Sequence, residues 1–198
     1  MDKRYQAGFT LYELMITILI VGILLTLGIP NMQDFRRNSR MSATANDLHA
    51  AFHLARSESS RAKTNITVCP SDDGLSCGGN WNDGYVVFVD MDGDLVVDGG
   101  DGESVLRRHA AMSDAVSLAI ADDGTYFSFA STGLGRTGVG GNTAVSQIVI
   151  CDERGTEIAG GGSSAARLFV VTPLGRATIV RDKETIDDAL SLMGKTCP

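Results

Sequence analysis

The chain has 198 residues, 43% of them hydrophobic, and a formal net charge of −7. An apolar share of that size excludes a disordered chain and supports one main domain with a real core. The charge is uneven: residues 64–198 hold nine basic against nineteen acidic side chains, while residues 9–63 hold six against four. A broad nucleic-acid footprint is therefore excluded over the acidic part.

In chain order the first feature is a short charged stretch, "MDKRYQAG", followed by an apolar run from Phe9 to Ile29. No residue from Leu14 to Ile29 is charged. As a helix, the 21 residues from Phe9 span about 32 Å at 1.5 Å per residue. That matches a bilayer core of about 30 Å. Glu13 sits near the start of the run, where a carboxylate at bilayer depth costs roughly 2.5–3.5 kcal/mol. In a secretory signal the small residues follow the apolar region. Here Ala7 and Gly8 precede it, so the order is inverted.

Pro30 is expected to kink the helix without ending it. A basic cluster follows, Arg36, Arg37 and Arg40, and then Leu48, Ala51, Phe52 and Ala55 recur at amphipathic spacing. The spacing predicts one helix over residues 9–63, membrane-spanning over 9–29 and amphipathic over 30–63. Its thin stripe suits close packing on a sheet. His49 and His53 stand four residues apart without an HExxH pattern and read as a packed or solvated face.

Beyond residue 65 the period becomes strand-like. The expected strands are 65–69, 85–90, 104–109, 115–120, 125–130, 146–151, 166–171 and 176–181, separated by Gly, Asp and Asn clusters. A short helix is expected within 182–193. The fold class is α+β: a long N-terminal helix packed on an antiparallel β-rich head over 64–198. "GLGRTG" (133–138) matches GxGxxG but lacks the following helix that a dinucleotide site needs, so it reads as a flexible loop. "DMDGDLVVDGGD" (90–101) departs from the EF-hand pattern, with Leu95 and Asp101 at the positions that want Gly and Glu. It reads first as an acidic hairpin, and second as a weak calcium site through Asp90, Asp92, Asp94 and Asp101.

Four cysteines, Cys69, Cys77, Cys151 and Cys197, all follow the apolar run. Without a CxxC pair, and with the three histidines remote, zinc is not expected and disulfides are. Three pairings are open. The expected one joins Cys69 to Cys77 across a short turn and Cys151 to Cys197. No nucleophile, base and orienting acid stand in a recognisable order, so no enzyme and no cofactor is expected.

The leader and apolar run resemble a type IV prepilin: Gly8, Phe9, Thr10, Leu11, Tyr12, Glu13, with Gly22 and Pro30 further on. The resemblance implies cleavage between Gly8 and Phe9 by a prepilin peptidase, with methylation of the new amine. It also implies that the Glu13 carboxylate pairs with the N-terminal amine of a neighbouring subunit. The stretches "VCPSDDGLSC", "NWNDGYVVFVDMDGD", "VLRRH" and "RLFVVTPLGRATIV" are similar to the FimT/FimU–GspH group of minor pilins and pseudopilins. That implies a non-enzymatic subunit anchored in the inner membrane, its head in the periplasm or on an extracellular pilus. Other major and minor pilins would be its partners, in a type IV pilus or, in GspH-like members, in type II secretion. Some FimT-like members bind DNA through Gly-Arg-x-Arg. This chain has Gly175, Arg176, Ala177 and Thr178, so the second Arg is missing, with Arg181 and Lys183 as nearby substitutes.

Overall fold

A computed structural model describes residues 9–197, with Leu27 and Asp101 described through their backbone alone. The first element is a 52-residue helix, α1, Leu11–Ala62, continuous through Pro30. Its last turn gives way to Lys63, whose φ of 56° is left-handed, the usual conformation of the residue that stops a helix. Contacts divide the chain into a unit up to Ser39 and a unit from Arg40.

The first unit is a single helical segment. Leu11, Leu14, Ile18, Leu19, Leu24, Met32 and Phe35 are all exposed on it. In the second unit the same helix becomes one-sided. Met41, Ala45, Leu48, Ala51, Phe52 and Ala55 are buried, whereas Ala43, Asn46, Ala50 and His53 face outwards.

Among the described residues nine strands follow: β1 Ile66–Pro70, β2 Tyr85–Val89, β3 Val105–His109, β4 Ser117–Ile120, β5 Phe127–Phe129, β6 Gly135–Arg136, β7 Gln147–Cys151, β8 Arg167–Val171 and β9 Ala177–Val180. They form two antiparallel sheets, ordered β3-β2-β1-β5-β6 and β4-β7-β8-β9. A helix α2, Lys183–Met193, closes the order, with Asp182 capping its start by accepting a hydrogen bond from the Thr185 amide.

One face of each sheet contributes to the core under α1. Ile66, Val68, Val87, Phe127 and Phe129 come from the first sheet and Ile148, Ile150, Phe169 and Val171 from the second. Phe52 of α1 is at the centre, its ring 4.8 Å from Phe169 and 5.5 Å from Phe127. The opposite faces are covered too. α2 lays Ile186, Ala189 and Leu190 over Val149, Cys151 and Leu168. The loops carrying Leu95 and Val139 cover Cys69, Val86, Phe88 and Tyr126. Strands covered on both sides lose the apolar–polar alternation of a half-exposed sheet, which is why β1 and β2 are buried at every residue.

The eight expected strands are present, seven with slightly shorter ends and the first shifted by one residue to Ile66–Pro70, and the described residues add a ninth. β6 lies inside "GLGRTG", where a flexible loop was expected, and Gly135 and Arg136 pair with Phe129 and Ser128. Two residues cannot show a period, so the pairing is set by β5 and not by local pattern. Gly135 also donates its amide to Pro173 O at 2.9 Å, which ties this segment to the β8–β9 turn. That turn needs its glycine: Gly175 has a φ of +72°, and a Cβ there would fall 2.6 Å from Gly133 O and 2.9 Å from the Phe129 ring.

Candidate functional site

The start of α1 carries the first site. Glu13 accepts hydrogen bonds on one carboxylate oxygen from the Thr10 amide (2.9 Å) and the Thr10 hydroxyl (2.8 Å). Thr10 Oγ1 in turn accepts from the Glu13 amide at 3.2 Å. This reciprocal pair is a capping box, with Thr10 at the N-cap and Glu13 three residues on. The acid also sits in the first turn, where the helix dipole favours negative charge. Within one chain, then, Glu13 already has two donors. Thr-x-x-Glu before an apolar run is the sequence signature of this cap, and it stands beside the neighbour's amine that the prepilin resemblance implies for Glu13. Phe9 is 87% exposed. Gly8 and the rest of the expected leader, residues 1–8, lie outside the described residues.

The cysteines come next. The structure joins Cys69 to Cys77 and Cys151 to Cys197, each with Cα atoms 5.5 Å apart. The first bridge holds the loop after β1. The second fastens the segment beyond α2 to the buried end of β7.

The acidic hairpin is built by its own carboxylates. Asp90 is fully buried; one oxygen accepts from Thr67 Oγ1 at 2.5 Å and the other from the Gly93 amide at 2.9 Å. Burial pushes its carboxyl above the usual range, against the pull of those two bonds and of Arg136. Glu103, also buried, accepts from the Met91 and Asp98 amides at 2.6 and 3.0 Å. Asp92 and Asp94 accept from the amides of Asp94 and Val96. Oxygens of Asp90, Asp92 and Glu103 come within 4.8 Å of one another. Glu103 was missed because it stands thirteen residues from Asp90 and only the fold of the hairpin returns it there. Asp94 is outside this group, and the side chain of Asp101 lies outside the described residues. Hydrogen bonds that shape the loop account for these carboxylates without an ion.

The basic residues near the C-terminus do not converge. Arg176 and Arg181 stand at opposite ends of β9, five residues or about 17 Å of strand apart. Lys183 Nζ is engaged by Asp187 at 2.5 Å and Thr156 at 3.1 Å. Arg181 lies near Arg167, a buried guanidinium whose Nη1 donates to the carbonyls of Ser164, Ala165 and Ala166. Burial and the charges of Arg181 and Arg154 lower the Arg167 pKa to about 10. Each phosphate contact adds about 0.9 to the salt slope of DNA binding. The full chain in detergent is therefore expected to show no sub-micromolar DNA affinity at physiological salt in an anisotropy titration. Tight binding abolished by Arg176→Ala would overturn this.

An exposed apolar helix with a capped, acid-bearing start, continuing into the core of a two-sheet head stapled by disulfides, defines a pilin-type subunit. The chain belongs to the family described as type II transport protein GspH, which it matches over residues 44–175. It also carries the prokaryotic N-terminal methylation motif over residues 3–29. It is 50% identical over 46 residues to the fimbrial protein EcpC of Eikenella corrodens, covering 23% of this chain and 30% of that one. It is 40% identical over 50 residues to the type II secretion system core protein G of Aeromonas hydrophila, covering 25% of this chain and 35% of that one. The chain thus spans about a third of the length of these relatives. In fold it is similar to the crystal structure of the type IV minor pilin FimU of Pseudomonas aeruginosa, at a TM-score of 0.50 and 17% identity, covering 74% of this chain and 92% of that one.

Proposed function

We propose that this chain is a minor pilin that co-assembles into, or primes, a type IV pilus, its head in the periplasm before assembly. The carrying observation is the abrupt change along α1. Large apolar side chains are exposed as far as Phe35, whereas from Met41 onward one face is buried. A contiguous apolar surface of that length needs a cover. The bilayer covers it in a lone subunit, and the helices of neighbouring pilins cover it in a filament. The GspH family description supports a second reading, a minor pseudopilin of a type II secretion machine, which differs in neighbours and not in physics. Site-specific crosslinking from position 32 or 35 in cells separates the two by the identity of the captured subunit.

The same reading makes Gly8–Phe9 the cleavage point. Mass spectrometry of the protein purified from cells with an active prepilin peptidase is expected to find a chain beginning at N-methylated Phe9. A native chain still beginning at Met1 would refute it.

A further inference from the structure

His49 and His53 sit one turn apart on α1, in the half of the helix that packs on the head. Their Nε2 atoms are 3.2 Å apart and their ring centroids 4.3 Å apart. His49 is half-buried and His53 exposed, so the pair opens to solvent. A hydrogen bond between the two rings accounts for this approach, and the same approach fits a shared zinc ion. Neutral imidazole binds it at about 2.0–2.1 Å, and two such bonds at the tetrahedral angle set the nitrogens about 3.3–3.4 Å apart. A square-planar ion would draw them to about 2.8–3.0 Å. The observed separation is closer to the tetrahedral value.

We propose that His49 and His53 form a two-histidine binding site for a tetrahedral divalent transition-metal ion, zinc in the first instance, with water in the two open positions. One ring nitrogen now donates to the other, and the ion would replace that shared hydrogen. Arg56, three residues on from His53, opposes a dication, so the site is expected to be moderate in affinity. The third histidine is not a member. His109 stacks on Tyr85 at 4.7 Å, and its Nδ1 lies 2.6 Å from Ala110 O. Nor is the acidic hairpin, whose all-oxygen set suits harder ions.

The test is calorimetric titration of ZnCl2 into the full chain in non-ionic detergent and a non-coordinating buffer. One ion per chain is expected. His49→Asn and His53→Ala should each weaken binding at least tenfold, while His109→Gln and Asp92→Asn keep the unsubstituted isotherm. His53 is exposed and alanine is the best helix former, so an unchanged circular dichroism spectrum would assign the loss to the ligand and not the fold. Copper(II) bound at the same site should show coupling to two imidazole nitrogens in its electron paramagnetic resonance spectrum. Equal zinc affinity with and without His53, or a loss that follows Asp92→Asn or His109→Gln, would overturn the proposal.

Discussion

Glu13→Ala is expected to leave membrane insertion intact and to cut incorporation into filaments by about a hundredfold or more. Insertion is not at risk, because the substitution removes the one carboxylate that opposes it. Assembly is. On the proposed assembly, a neighbour's amine brought into an apolar helix bundle without a counter-charge would be left buried and unpaired, and breaking such a pair costs about 3–5 kcal/mol. At 1.4 kcal/mol per decade, 3 kcal/mol is already about a hundredfold. The capping box complicates the alanine variant, since losing a cap costs about 1 kcal/mol at the helix start by itself. Glu13→Gln separates the two effects. Glutamine serves in a capping box as glutamate does, so the Thr10 hydrogen bonds survive while the charge is gone. If the charge matters, Gln and Ala fail alike in quantitative blots of sheared filaments against the membrane fraction. If the cap alone matters, Gln assembles normally, and the intersubunit pairing is wrong.

Removing the Cys151–Cys197 bridge should destabilise the head more than removing Cys69–Cys77. The cysteines are 46 residues apart in sequence, and the chain-entropy relation gives about 4 kcal/mol for a loop of that length. For Cys69–Cys77, with a separation of 8, the same relation gives about 2.5 kcal/mol. The longer bridge also has more to hold. Beyond the bend at Gly194 the chain carries Cys197 back to β7, and α2 above it covers Val149, Cys151 and Leu168. In a domain of this size 1 kcal/mol moves the melting midpoint by about 2–4 °C. The Cys151→Ala/Cys197→Ala chain should therefore melt about 8–16 °C lower by calorimetry under oxidising conditions. Alanine keeps the buried position apolar, so the fall reports the bridge and not a stranded hydroxyl. A double variant that melts with the unsubstituted chain would sink the assignment.

The start of the chain was legible because its information is contiguous. Gly8, Phe9, Glu13 and the uncharged run from Leu14 to Ile29 specify a methylation motif and a membrane-length helix without reference to anything distant. Thr10 and Glu13 even define their own hydrogen bonds, three residues apart. The stripe Leu48, Ala51, Phe52, Ala55 and eight of the strands were legible for the same reason, since period is a local property. What the sequence by itself could not determine was which strands share a sheet. β1 and β2 are buried at every position, Thr67 included, because helix and loops cover both faces, and a strand with no alternation names no partner. β6 is too short to have a period at all. The acidic hairpin drew its third close carboxylate from Glu103, and Arg176 and Arg181 were set at the two ends of one strand. His49 and His53 had the right spacing, but only the side-chain orientations bring their Nε2 atoms to 3.2 Å. Each of these depends on contacts between residues far apart in the chain or on side-chain orientation, neither of which a local pattern encodes.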